Sequence, residues 1–494
     1  MLKTIKNKEN LLAITISGLL AMIFGLNSPL HPWLGGETGT DSSVFKTVTL
    51  MMEHGYMPYR DSFDHKGPFI YIINWFGNRI SQYRGIWVIE VLAITITIFL
   101  MYKIARISCG IIASSITVLT AISLLFIYYE GGNITEEYAM PCIAVGIYIF
   151  IDFLLNEVIS KVRLILSGIC CGIVLMLRPN MIVVWFVFCL LTTALFIYKK
   201  EYKKLAELVS FFLIGIVIII LPVAIWLYAN NDLSYFIQDY FIFNKRYTSI
   251  EGGIALFSSK WNAFFVFFNS TVYIIAFFSM IFHLRDKKLF NITYLIYLVL
   301  TIVFMVMSGM RYGHYGMILI PAVVYPISLA FADVRKIKDI ETSKTIYLFA
   351  FLYLLSVIIM PNWIDLISGM ANTYENRDEN HCSDVTTDIV NIIENNTEVD
   401  EKISVYGNWD IIYVLSDRTH ATRYSYQFPV GQVMPEIMDD YIGNLKEESP
   451  KIIVVQSGYY DENIKEFLNG NGYELGYSSN WDNPDESSLV FMKN

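Results

Sequence analysis

The chain has 494 residues, 55% of them hydrophobic, 16% charged and 15% aromatic, with a formal charge of -9 and a mean hydropathy of +0.47. So few charges exclude an ordinary cytosolic enzyme, and 33 Phe and 33 Tyr against 14 Pro exclude a disordered or collagen-like chain. The charge is divided: from residue 370 onward there are eight Lys and Arg against 23 Asp and Glu, and before it 28 against 22. A basic, apolar portion is therefore followed by an acidic, polar segment.

In chain order the apolar residues gather into stretches long enough to cross ~30 Å of hydrocarbon as helix. The first runs from Leu11 to about Leu30, after Lys3, Lys6 and Lys8, without the small-residue cleavage site of a signal peptide. Others lie at about 85–103, 110–129, 138–155, 163–177, 180–198, 206–228, 262–283, 289–308, 313–332 and 345–363, which makes about eleven transmembrane helices. Arg178-Pro179-Asn180 divides 163–198 into two short crossings. The connections 1–10, 103–109, 156–162, 199–205, 284–288 and 333–344 are short and basic, which places them and the N-terminus inside. An odd number of crossings leaves the C-terminal segment outside. The expected architecture is an all-α polytopic membrane domain over 1–365 and a small extracytoplasmic α/β domain over 366–494.

The largest outer loop, 31–84, carries two expected amphipathic helices along the membrane surface. Asp41-Ser42-Ser43 precedes an apolar face of Val44, Phe45, Val48, Met51 and Met52, with Asp41 at or near the cap. A second helix begins at Pro68 and ends near Ile80. In the C-terminal segment Val385, Ile389, Ile392 and Ile393 form a helical stripe, and 402–406, 451–455 and 487–492 read as strands. The segment has no glycine-rich nucleotide loop, no metal-spaced Cys/His set and no nucleophile elbow. The six cysteines define no disulfide framework.

Polar side chains concentrate at the outer face. They are Asp41; the run Arg60-Asp61-Ser62-Phe63-Asp64-His65-Lys66; Asn133, Glu136 and Glu137; Arg178 and Asn180; and Arg311, His314 and Tyr315. Such carboxylates suit proton abstraction from a nucleophile, and such cations suit an anionic leaving group. Each has a plainer reading as well. Asp41 caps a helix. Asp61 and Asp64 close turns or pair with Arg60 and Lys66, and His65 is structural. Glu136 and Glu137 are first-turn acids of the fourth span. Arg178 pairs with Glu90, and His314 anchors the interface with Tyr312 and Tyr315. Asp152 has no assigned role, and Asn133-Ile134-Thr135 matches a glycosylation acceptor by chance.

The run Thr40-Asp41-Ser42-Ser43-Val44-Phe45, followed by Pro58-Tyr59-Arg60-Asp61-Ser62-Phe63-Asp64-His65-Lys66-Gly67-Pro68, resembles the polytopic glycosyltransferases of the C-type fold. The similar group is bacterial and akin to protein O-mannosyltransferases and the aminoarabinose lipid A transferase. Asn133 to Tyr138, Arg178-Pro179-Asn180 and Arg311 to Tyr315 are similar to further motifs of that group. The resemblance covers most of 1–335. It implies transfer of a sugar from a polyprenyl-phosphate donor to an outer-face acceptor, with inversion and with Asp41 as general base. The acceptor would be an envelope glycan such as a teichoic acid, a lipid or a protein. Lys66, Arg178, Arg311 and His314 are then candidates for the donor phosphate. Asp61, Asp64, His65, Glu136, Glu137, Asn180 and Tyr315 are candidates for the rest of the site or the acceptor. No cofactor is required. A divalent metal occurs in some relatives of the same overall fold, but the carboxylates show no ligand spacing here. The expected place is the bacterial cell membrane, with membrane lipids as partners and no nucleic acid. The rival class is a transporter or lipid flippase for envelope precursors, which would put binding residues at the midplane of related halves.

Overall fold

The computed structural model describes all residues except 1, 27, 32–37, 82–83, 130, 248–269, 308–311, 335–339, 357–359, 376–381 and 494. The chain forms two compact units, one built from 1–28, 87–223 and 251–376, the other from 29–86, 224–250 and 377–494. The second unit thus unites residues 29–86, a short mid-chain segment and the acidic tail.

Among the described residues, seven helices are long and apolar enough to cross a membrane: Asn7–Gly25, Gly85–Ser108, Ile111–Tyr128, Thr135–Asn156, Tyr202–Ala229, Lys288–Val306 and Gly313–Ala332. Val183–Tyr198, Thr271–Phe282 and Lys344–Tyr353 are apolar but shorter. Leu213, Val217, Leu221 and Ile225 face outward along Tyr202–Ala229, a stripe that water would penalise and lipid does not. The break at Arg178-Pro179-Asn180 appears as a short 3-10 turn, Pro179–Met181, between helices Lys161–Leu175 and Val183–Tyr198. Gly168 and Gly215 set the crossing of Lys161–Leu175 with Tyr202–Ala229. A Cβ on either would fall 2.0–2.1 Å from a carbonyl oxygen of the other helix, the close approach that small residues permit in membranes. Within 345–363, expected as one crossing, the described residues include the end of helix Ile340–Leu354 and the start of Met360–Glu375. Residues 248–269, including the start of the expected span 262–283, lie outside the described residues.

In the second unit the sheet order is β1-β2-β4-β3, with β1 Ser404–Tyr406, β2 Ile452–Val455, β3 Tyr473–Ser478 and β4 Leu489–Lys493. β1 and β2 are parallel, and the other pairs are antiparallel. Helix Asp384–Asn396 starts at a Ser383 cap whose side chain accepts from the Thr386 amide. It sends Ile389 and Ile393 into a core with Val405, Ile412, Ile452, Val454 and Val490. The unanticipated strand is β3, an edge strand whose central residues are exposed, so it lacks the apolar alternation that marks a half-buried strand.

Helices Thr40–Glu53 and Pro68–Ile80 form where the sequence places them. Thr40–Glu53 does not lie apolar face down on a membrane, however. Val44, Phe45, Val48 and Met51 are buried, because that helix packs on Pro68–Ile80 and on the short tail helix Ile411–Ser416. The Thr47 hydroxyl donates to the Asp410 carbonyl at 3.0 Å. The hydrophobic stripe is satisfied by protein.

Candidate functional site

Asp41 stands in the first turn of Thr40–Glu53, while Gly39 occupies the cap position. A carboxylate there is favoured by the N-terminal helix dipole. Its side chain is 41% exposed and lies 3.9 Å from the ammonium of Lys66, whose side chain is 9% exposed. A series of contacts leads inward from this pair. Lys66 Nζ lies 3.0 Å from His65 Nε2, and a lysine ammonium can only donate. The His65 proton is therefore on Nδ1, which faces Asp64 Oδ1 at 3.4 Å. Asp64 also accepts from Tyr71 OH at 2.7 Å, Tyr426 OH at 3.0 Å and the His65 amide at 2.7 Å. Burial raises the Asp64 carboxyl above its ordinary range, against the opposing pull of Lys66 and these donors. Asp41, Lys66, His65 and Asp64 thus form a series of acid, ammonium, neutral imidazole and acid from an open end to a buried one.

Asp61 has a different task. It pairs with Arg60 in a two-pronged contact of 2.7 and 2.9 Å and accepts from the Met57 amide at 2.7 Å. Burial pushes its carboxyl up, but Arg60 and the Met57 N–H outweigh burial and hold it below the usual range. Its geometry is that of a turn acid paired with Arg60. The Arg60 amide donates to Asp232 at 2.6 Å, and the Asn244 side chain donates to the His65 carbonyl at 2.7 Å. Both tie residues 224–250 to the loop. The tail contributes Tyr426 on Asp64, and Arg423, which pairs with Asp239 and donates to the Tyr59 carbonyl at 2.9 Å. Tyr71, Asp232, Asp239, Asp410, Arg423 and Tyr426 were not singled out from the sequence. Tyr426 lies 362 positions from Asp64, and no local pattern marks such a pair.

Burial moves several acids of this unit. Asp239 and Asp410 are pushed up to about 7 and Asp232 to about 6, in each case chiefly by loss of water. Neither Asp410 carboxylate oxygen has a hydrogen bond of ordinary geometry among the described residues, although the Ser425 hydroxyl nearby offsets part of the burial effect. The folded protein binds these protons more tightly than an unfolded chain, whose Asp titrates at ~3.9. Their contribution is therefore present below pH ~4 and is lost as the pH rises through 6–7. His420 acts in the opposite sense. Burial pulls it down to about 4, so its contribution is present above pH ~6.5 and lost on acidification towards 4. Asp410→Asn is expected to stabilise the full-length protein by up to ~4 kcal/mol at pH 8 and much less at pH 5. Melting curves of both proteins at the two pH values check this, and an equal gain at both would contradict it.

In the membrane unit, helix Thr135–Asn156 starts with Glu136 and Glu137 in its first turn. The partner of Arg178 is Glu136, at 2.5 Å, and not Glu90. The Arg178 guanidinium also lies 4.0 Å from the ring centroid of Tyr315, and Tyr315 meets His314 edge to face at 4.8 Å. Glu90 is taken by the second outer loop and the end of the first span, accepting from Ser28 at 2.9 Å and from Tyr129. The Gly132 backbone rests against it, so closely that a Cβ there would overlap the carboxylate. Glu137 accepts from the Asn133 amide at 2.9 Å, and the Asn180 side chain donates to the Phe304 carbonyl at 3.5 Å. Arg311 lies outside the described residues. Glu136→Gln leaves Arg178 buried without its counter-charge and is expected to destabilise the membrane unit by ~3–5 kcal/mol. Thermal unfolding in detergent measures the loss, and an unchanged midpoint would show that the pair contributes little.

Among the described residues no three His, Cys, Asp or Glu side chains come together to hold a metal ion. The charged group paired with Asp41 is itself a cation, Lys66.

Residues 3–366 match the family model of the competence-induced protein Ccs4 N-terminal domain. The sequence finds no match among curated proteins. The fold is similar to that of ArnT from Cupriavidus metallidurans bound to undecaprenyl phosphate, at 12% identity, with 97% of each chain covered and a TM-score of 0.62. It is also similar to the Archaeoglobus fulgidus oligosaccharyltransferase in complex with zinc and sulfate, at 13% identity, over 97% of this chain and 73% of that one, with a TM-score of 0.54. Both are polytopic glycosyltransferases of the C-type fold, and this chain has that fold.

Proposed function

The chain belongs to the Ccs4 N-terminal domain family and has the C-type glycosyltransferase fold, and from that premise we propose that it is a membrane glycosyltransferase. It moves a sugar from a polyprenyl-phosphate donor to an acceptor of the cell envelope on the outer face. The observation that carries this reading is the exposed Asp41 carboxylate with the Lys66 ammonium 3.9 Å away. The undecaprenyl phosphate bound to the similar ArnT structure supports a polyprenyl-phosphate carrier.

In the proposed reaction Asp41 accepts the proton of the acceptor hydroxyl, and the oxygen attacks the anomeric carbon. The bond from that carbon to the phosphate oxygen breaks, and polyprenyl phosphate leaves with the bonding electrons. Lys66 meets the charge of the leaving phosphate. A single displacement inverts the anomeric carbon and requires no second carboxylate, unlike glycoside hydrolysis, because a phosphate is already a good leaving group. Asp64 and His65 hold Lys66 in place. For Arg178, Arg311 and His314 of the membrane unit phosphate binding remains what the resemblance suggests, and Arg178 is held there by Glu136 and Tyr315.

Steady-state kinetics with separately varied donor and acceptor test the assignment of Lys66. Lys66→Gln is expected to lower kcat/KM for the donor by ~10²-fold, with the acceptor KM little changed. Equal effects on donor and acceptor would argue against a phosphate contact.

A further inference from the structure

Four membrane helices, Thr135–Asn156, Lys161–Leu175, Val183–Tyr198 and Tyr202–Ala229, line a half-open cavity of about 260 Å³ towards their basic ends. Phe153, Leu164, Thr192, Leu208 and Phe212 are among its walls. Its origin is geometric. The Gly168–Gly215 contact brings two of the helices together backbone to backbone, and every wall residue those two supply precedes that contact in the chain. Helices Lys161–Leu175 and Val183–Tyr198 have 15 and 16 residues. At 1.5 Å per residue they reach only ~23 Å, short of the ~30 Å hydrocarbon layer, a mismatch that the surrounding lipid relieves, and lipid can enter the half-open cavity.

Two further observations indicate what fills it. Thr192, on the wall, is 8% exposed, and its hydroxyl oxygen has no hydrogen-bond partner among the described residues. Thr293 and Thr301 donate to the carbonyl four residues earlier, at 2.9 and 2.8 Å, the usual arrangement for a threonine in a membrane helix. Thr192 does not, which leaves on the cavity wall a buried hydroxyl that an oxygen of a lipid ester would satisfy. At the same end Lys199, Lys200, Lys203 and Lys204 are exposed. Lys204 pairs with Glu201 at 3.7 Å and Lys161 with Glu207 at 3.4 Å, whereas Lys199, Lys200 and Lys203 make no ion pair among the described residues. The positive-inside bias puts this end in the cytoplasm, where anionic headgroups gather at basic pockets between helices.

We infer that this cavity seats an acyl chain of an anionic glycerophospholipid from the inner leaflet, with its phosphate among these lysines. The test uses the full-length protein, delipidated in detergent and titrated separately with phosphatidylglycerol, phosphatidylcholine and undecaprenyl phosphate, with bound copies counted by native mass spectrometry. Phosphatidylglycerol is expected to bind ~10-fold more tightly than phosphatidylcholine, and raised salt should erode the difference. Cys189→Trp, which fills the cavity, should weaken phosphatidylglycerol binding ~10-fold. The triple change Lys199→Glu, Lys200→Glu and Lys203→Glu touches only exposed side chains and should make the two phospholipids equivalent, whether or not Cys189→Trp folds. Equal binding of the two phospholipids to the unaltered protein would overturn the inference. So would full retention of phosphatidylglycerol by a folded Cys189→Trp protein, or displacement of phosphatidylglycerol by equimolar undecaprenyl phosphate.

Discussion

Asp41→Asn is expected to lower the proposed sugar transfer by ~10²–10⁴-fold, the range a positioned general base contributes, and to leave the protein folded. Both halves of this expectation follow from where the side chain stands. The amide has nearly the same shape as the carboxylate but cannot take a proton from an acceptor hydroxyl. Structurally little is lost, because Gly39 and not Asp41 occupies the cap position. The partly exposed pair with Lys66 is worth only ~0–1 kcal/mol. Purified Asp41→Asn protein should therefore elute and melt like the parent while failing to consume donor. Near-normal turnover would mean that the base lies elsewhere.

Arg423→Met is expected to destabilise the protein by ~3–5 kcal/mol. Arg423 pairs with Asp239, donates to the Tyr59 carbonyl and lies over the rings of Phe63, Tyr235 and Tyr424. One side chain thus joins the tail, the first loop and residues 224–250. Methionine supplies comparable bulk but leaves Asp239 buried without its cation. Asp239 is already pushed up by burial, and removal of the arginine raises it further. The loss should therefore be greatest above pH 7 and smaller near pH 5, where the acid is protonated in the folded protein. Denaturant or thermal unfolding of the full-length protein at both pH values measures this. A pH-independent loss would assign the effect to the ring contacts instead of the charge.

The sequence carried the helices and the loop proposed as catalytic unequally well. The helices at Thr40–Glu53 and Pro68–Ile80 were legible because an acid-serine start and an N-terminal proline are local signals. Asp41 and the run Asp64-His65-Lys66 were legible because ionisable side chains crowd one loop of an otherwise apolar chain. What covers them was not. Tyr426 and Arg423 reach the loop region from the tail across hundreds of residues, and an isolated tyrosine or arginine in an acidic segment looks like any other surface residue. Arg178 shows the same limit at shorter range. An acid at comparable membrane depth was the right kind of partner, but depth alone does not separate Glu90 from Glu136. The structure separates them because the loop carrying Tyr129 and Gly132 already encloses Glu90.

The most direct measurement concerns the carrier. Polyprenyl-phosphate sugars, isotopically labelled and extracted from native membranes, are incubated with the purified protein and envelope acceptors in detergent micelles, where no sealed compartment exists. The account predicts that free polyprenyl phosphate appears in proportion to the sugar joined to acceptor, and that Asp41→Asn abolishes both. A protein that leaves the carrier intact in micelles, yet redistributes it across sealed vesicles, would be a transporter and would contradict the account.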